Sequence, residues 1–113
     1  MSDGALDELV RVLERGTEPD DALRAAVEIL AGEPEIAWAG LAFLEGGQLV
    51  LGPQAGEPDD RRRLRVPVAF QGEQVGELWI DGATDASFLE RVADLVAAHV
   101  LIGWDTGGEA WEP

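Results

Sequence analysis

Side chains that could contact a small ligand alternate along two short segments, residues 63–65 and 77–81. If both segments are strands, the alternation places every second side chain on one face of a sheet. There a carboxylate such as Asp81 could accept hydrogen bonds from an amine, and Arg65 could pair with a carboxylate. The tryptophan of an earlier apolar segment can join this face. The candidate ligand contacts are therefore Trp38, Arg65, Glu77, Trp79 and Asp81.

The same pattern also has a structural interpretation that needs no ligand. Oppositely charged residues on neighbouring strands can form cross-strand ion pairs, with Trp79 buried against a partner subunit. Residues 61–63 and Arg65 hold half of the eight basic residues and could bind an anion. Asp59 and Asp60 flank this cluster, which favours a charge-balanced loop instead.

Composition restricts the catalytic chemistry that is open to the chain. It contains no cysteine, which excludes disulfides, thiolate metal sites and thiol catalysis. The single histidine, His99, cannot form a zinc site without unusual help from carboxylates, and we interpret it as a packed core or interface residue. The 23 acidic residues make any one acid/base pair uninformative. We predict no catalytic residue, no metal and no cofactor.

The net charge of the chain indicates which classes of binding partner are unfavourable. The net charge is −15 and all eight basic residues are arginine. Such a surface repels nucleic-acid phosphates and anionic lipids, so we predict no nucleic-acid and no membrane partner. The apolar runs are shorter than the ~20 residues of a membrane span, and the start lacks the features of a secretion signal. A cytoplasmic protein is expected.

Hydrophobic periodicity predicts the elements that position these side chains. Apolar residues at helical spacing predict helices over residues 5–14, over the segment that ends at Gly32, and from Asp85 to about Gly103. Alternating patterns predict strands over 36–44, 48–51, 64–70 and 76–81, with a tight turn at Gly46-Gly47. Pro67 lacks an N–H and should place its strand at an edge. One domain is predicted over residues 1–104, followed by a loose tail over 104–113.

Two stretches, residues 36–56 and 66–81, are similar to a known family. Together they resemble the GAF domain of free methionine-(R)-sulfoxide reductases: the pieces Trp-Ala-Gly and Leu-Val-Leu-Gly-Pro resemble this branch, and the pieces Val-Pro-Val and Val-Gly-Glu-Leu resemble GAF domains generally. The resemblance implies an α+β fold: an antiparallel sheet of about four strands, with two N-terminal helices and one long C-terminal helix on one face. It also implies a ligand pocket on the opposite face.

The departures from that family fall on its chemistry. In the reductases a long excursion with the redox cysteines joins the two hairpins, whereas this chain has only residues 57–63 there. The family's substrate-binding aspartates match Trp79 and Asp81, so only the second is kept. A family glutamate matches Arg63, and a family tyrosine matches Ala42. The resemblance therefore supports the fold, and the departures remove the activity.

These observations predict a non-catalytic GAF-like module, a degenerate relative of the reductases, that acts through dimerisation or small-ligand sensing. The alternative is a small-molecule-binding signalling domain, or an enzyme that uses the Trp79 and Asp81 face. A homodimer is expected because both faces of the first strand are apolar and the covering excursion is missing. Trp79 is expected to fill the space of the former ligand or to enter a dimer contact.

Overall fold

The fold consists of three helices and four strands in the computed structural model, which describes residues 3–15, 18–82 and 84–111. Helices α1 (Asp3–Leu13) and α2 (Pro19–Ala31) precede strands β1 (Ile36–Glu45) and β2 (Gln48–Gly56). One turn of 3₁₀ helix (Asp60–Arg62) leads into β3 (Arg63–Phe70) and β4 (Glu73–Gly82). Helix α3 (Ala86–Trp111) follows. The predicted helices and strands are present in the predicted order.

The strands form one antiparallel sheet in the order β2-β1-β4-β3. The prediction of a four-stranded antiparallel sheet with three helices is confirmed. Gly46 and Gly47 both have positive φ, which a tight two-residue hairpin turn requires. Pro67 lies in β3, which is an edge strand as expected, because a missing N–H does least harm at an edge.

The hydrophobic core lies between one face of the sheet and the helices. Strands β1 and β4 supply Leu41, Leu78 and Ile80, all of them at most 1% exposed. Helices α2 and α3 supply most of the rest, including Leu23, Val27, Leu89, Val92 and Val96. The side chains that alternate with the core residues of β1, β3 and β4 therefore point away from the helices.

Two elements are longer than predicted. Strand β2 was predicted to end at Leu51 and instead continues through Gly52 and Pro53 to Gly56. The register shifts between Gly40 and Ala42 at this point, so the extra residues form a bulge on an edge strand, where a proline is tolerated.

Helix α3 was predicted to end near Gly103, and residues 104–113 were expected to be a loose tail. Instead the helix continues to Trp111, so the tail prediction is wrong for residues 104–111. Glycine costs a helix about 1 kcal/mol relative to alanine but keeps its backbone N–H, so three glycines do not by themselves end it. Residues 112 and 113 lie outside the described residues. Within the described part of the chain, no helix is long and apolar enough to cross a membrane.

Candidate functional site

The five candidate side chains lie in adjacent cross-strand rows on the sheet face that points away from the helices. Trp38 is opposite Asp81, which is opposite Arg63 on the next strand. In the neighbouring row, Trp79 is opposite Arg65. Glu77 lies one row further along β4, opposite Ala42. The five residues predicted from strand alternation therefore do lie on one face of the sheet. Arg63 lies among them; it was predicted on this face but not as a ligand contact.

An ion pair between Arg63 and Asp81 forms the centre of this face. The guanidinium donates from Nε and Nη2 to the two carboxylate oxygens at 2.7 and 2.8 Å. The backbone N–H of Asp59 also donates to Asp81 Oδ2, at 2.7 Å. Asp81 is 0% exposed, and the Arg63 side chain is 23% exposed. The pair and the backbone bond thereby hold the short 57–62 connection against the sheet.

The protonation of this pair follows from its contacts. The hydrogen bond from Arg63 lowers the pKa of Asp81, against the opposing effect of burial, and the Asp59 N–H lowers it further. The hydrogen bond to Asp81 raises the pKa of Arg63. Both groups therefore remain charged at neutral pH.

Tryptophan and arginine side chains alternate across the face in a stack that we call the Trp–Arg ladder: Trp38, Arg63, Trp79 and Arg65. The Arg63 guanidinium carbon lies 4.6 Å from the ring centroid of Trp38 and 5.4 Å from that of Trp79. The Arg65 guanidinium carbon lies 4.7 Å from the Trp79 centroid. These separations are within the range of cation–π attraction.

The polar atoms along the ladder have partners within the chain. Arg65 pairs with Glu77 at 2.8 Å, and the Trp79 indole N–H donates to the same carboxylate at 2.9 Å. The Trp38 indole N–H donates to Gln54 Oε1 at 3.2 Å. The cross-strand ion pairs considered from the sequence are therefore present, and Asp81 and both indole N–H groups already have partners within the chain.

Gly40 provides the space in which Trp38 lies. A Cβ atom at this glycine would come within 2.5 Å of the Trp38 ring. Trp38 is 2% exposed although it is on the face without helices. The glycine two residues after the tryptophan is thus a sequence signal for this burial, because it leaves the ring room to lie flat on the strand.

The other groups singled out in the sequence have structural roles. Arg61 and Arg62 both pair with Asp59 at 3.4 Å, which fits the charge-balanced loop better than an anion site. His99 Nε2 lies 3.2 Å from the carbonyl oxygen of Leu13 and joins α3 to the end of α1. In the described part of the chain, no group of three or more His, Cys, Asp or Glu side chains could hold a metal ion.

The buried carboxylate gives this site an acid sensitivity. Because folding lowers the pKa of Asp81, its contribution to stability is present above the ordinary value of 3.8 and is lost as the pH falls through the folded pKa. We expect the stability difference between the wild type and Asp81→Asn to shrink between about pH 5 and pH 2. Urea titrations of both proteins at each pH measure it. A difference that stayed constant over this range would contradict the assignment.

Solved structures with the same fold include enzymes and other GAF domains. The free methionine-R-sulfoxide reductase from Neisseria meningitidis, in complex with its substrate, has a TM-score of 0.69 and 14% identity; the match covers 94% of this chain and 95% of that one. The type II enzyme from Thermoplasma acidophilum has a TM-score of 0.62 and 23% identity, over 79% and 94%. The GAF domain of an Acinetobacter phosphoenolpyruvate-protein phosphotransferase has a TM-score of 0.68 and 14% identity, over 96% and 99%.

These similarities define the fold as GAF-like. The resemblance to GAF domains and to the free methionine-R-sulfoxide reductases is confirmed at this level. No family model and no curated protein matches the sequence. Since the same fold occurs in the reductases and in a GAF domain of a phosphotransferase, the function must be argued from the residues of this chain.

Proposed function

We propose that this chain is a non-catalytic GAF-like module that acts through self-association as a homodimer. The observation that carries the proposal is an apolar groove of about 380 Å³ between α1 and α3. The groove is lined by Leu6, Val10 and Leu95 together with the charged residues Arg91 and Asp94. The outer face of β1, from which a dimer was first expected, supports the proposal less, because Trp38 and Ala42 are already buried within one chain.

Helix α1 has a wider apolar surface than the core covers. Its residues Leu9 and Val12 are buried, whereas Leu6 and Val10 are only partly buried. An apolar surface of this kind on a helix is normally buried by a further partner. The groove therefore supplies the contact that we propose.

The charges beside the groove favour a second copy of the chain as the occupant. Arg91 and Asp94 lie three residues apart on α3, and neither has an ion-pair partner among the described residues. In a two-fold dimer the same patch meets itself, so Arg91 of one copy can pair with Asp94 of the other. The net charge of −15 repels a second copy, so burial of the apolar groove must provide most of the attraction.

Light scattering at micromolar concentration should give about twice the 12.1 kDa chain mass. Val10→Asp places a charge in the groove and should give a monomer. The matched control is Val50→Asp, since Val50 is 44% exposed on β2, away from the groove, and should remain dimeric. Arg91→Asp should weaken the dimer, and adding Asp94→Arg should restore it. A wild-type monomer, or equal dissociation by both valine variants, would refute the proposed interface.

The non-catalytic part of the proposal rests on the absence of cysteine. Reduction of a sulfoxide by this family proceeds through a thiolate, and this chain has none. We expect no reduction of free methionine sulfoxide in the presence of a thiol reductant, compared with a heat-inactivated sample. Turnover above that control would contradict the proposal.

A second candidate is the binding of a small ligand, or an enzymatic activity, on the Trp79 and Asp81 face. The observation that favours it is the grouping of two tryptophan rings with a buried carboxylate. Against it, Asp81 and both indole N–H groups already have partners within the chain. A ligand that paired with Asp81 would have to displace Arg63.

A further inference from the structure

Arg63 contacts its surroundings as a bound guanidinium ligand would. Its guanidinium meets a carboxylate edge-on through two hydrogen bonds and lies near the rings of Trp38 and Trp79. We propose that Asp81, Trp38 and Trp79 form a guanidinium-binding site and that Arg63 of the same chain is its resident occupant. This inference is independent of the proposed dimer.

The geometry selects a guanidinium over an ammonium ion. The planar guanidinium presents two parallel N–H donors that match the two oxygens of Asp81, and its flat face is attracted to aromatic rings. An ammonium group is a compact, strongly hydrated charge that cannot make this paired contact. Because Asp81 is 0% exposed, loss of the occupant would leave a buried carboxylate without its counter-ion.

The walls of the site are held by contacts that do not involve Arg63. Asp81 also accepts from the Asp59 N–H. Trp38 lies over Gly40 and donates to Gln54, and Trp79 donates to Glu77. Removal of the Arg63 side chain should therefore leave a pre-formed site rather than a collapsed one.

The occupant belongs to the chain itself, so a free guanidinium competes poorly in the wild type. A tethered group acts at an effective concentration of the order of millimolar or more. The site should consequently appear closed to added ligand until Arg63 is removed.

The test is chemical rescue of Arg63→Ala with methylguanidinium chloride. The variant should melt at a lower temperature than the wild type, and methylguanidinium at several times its dissociation constant should raise the melting temperature by about 4–8 °C. Methylammonium chloride at the same concentration should not. The matched control is Arg65→Ala, which removes a 51%-exposed arginine of the same ladder and should show no rescue.

Each result of the rescue experiment either supports or overturns the proposed guanidinium site. If Arg63→Ala is unfolded alone, recovery of its far-UV circular dichroism with methylguanidinium, but not with methylammonium, supports the site. A double variant with Asp81→Asn should lose the rescue. No rise in melting temperature and no recovery of structure would overturn the proposal. Equal effects on Arg65→Ala or on the wild type would also overturn it, because they would indicate a general salt effect.

Discussion

Replacing Asp81 with alanine should lower the free energy of unfolding by about 3–5 kcal/mol, with the partial exposure of Arg63 favouring the lower end. The change leaves a largely buried guanidinium without its counter-ion. It also removes the acceptor of the Asp59 N–H, so the 57–62 connection loses its bond to the sheet. Urea denaturation at neutral pH measures the difference from the wild type.

Glu77→Ala is the matched control, because it removes another carboxylate that pairs with an arginine on the same face. Its partner Arg65 is 51% exposed, so the ion pair should contribute only about 0–1 kcal/mol. A double change of Arg63 and Asp81 to leucine should be less harmful than Asp81→Ala, since it removes both charges together. If Asp81→Ala and Glu77→Ala had equally small effects, the central role of the buried pair would be wrong.

Trp38→Ala should be comparably destabilising, by about 3–5 kcal/mol. The ring is 2% exposed, so its removal opens a cavity above Gly40. Arg63 loses one of its two aromatic neighbours and Gln54 loses a donor. Thermal and urea denaturation of the variant measure the loss.

Trp79→Ala is the matched comparison for Trp38→Ala, because both changes remove a tryptophan ring from the same face of the sheet. Removal of a fully buried tryptophan ring costs about 3–5 kcal/mol, but Trp79 is partly exposed in a single chain. We therefore expect a smaller loss than for Trp38→Ala. A larger loss at Trp79 than at Trp38 would contradict the burial described here and would point to a further contact over Trp79.

The sequence predicted the helices and strands well because their signals are local. Turns that contain glycine define the two hairpins, and the alternation of apolar residues indicates which face meets the helices. The assembly of the two hairpins into one antiparallel sheet was implied by the family resemblance, since the pairing of β1 with β4 is a long-range contact. The same alternation correctly placed Trp38, Trp79 and Asp81 on the opposite face. It could not predict the length of α3, because glycine weakens a helix without stopping it.

Which side chains of this face pair with one another was harder to predict. Strand parity places side chains on a face but does not say which of Arg63 and Arg65 reaches Asp81. The choice depends on the register of β3 against β4 and on the path of residues 57–62, which are long-range properties. The burial of Trp38 likewise depends on Gln54 and Arg63, which are distant in sequence.

The Arg63–Asp81 pair also controls how the edge strand β3 is aligned. A slip of β3 by one residue would turn Arg63 and Arg65 toward the helices. No buried carboxylate could pair with them there, since Asp81 is the only buried charged residue among those described and lies on the other face. Placing these charges among apolar side chains costs several kcal/mol, so shifted pairings are strongly disfavoured. The Arg63–Asp81 pair thus contributes to the specificity of the fold as well as to its stability, because it favours one register of β3 on β4 over its neighbours.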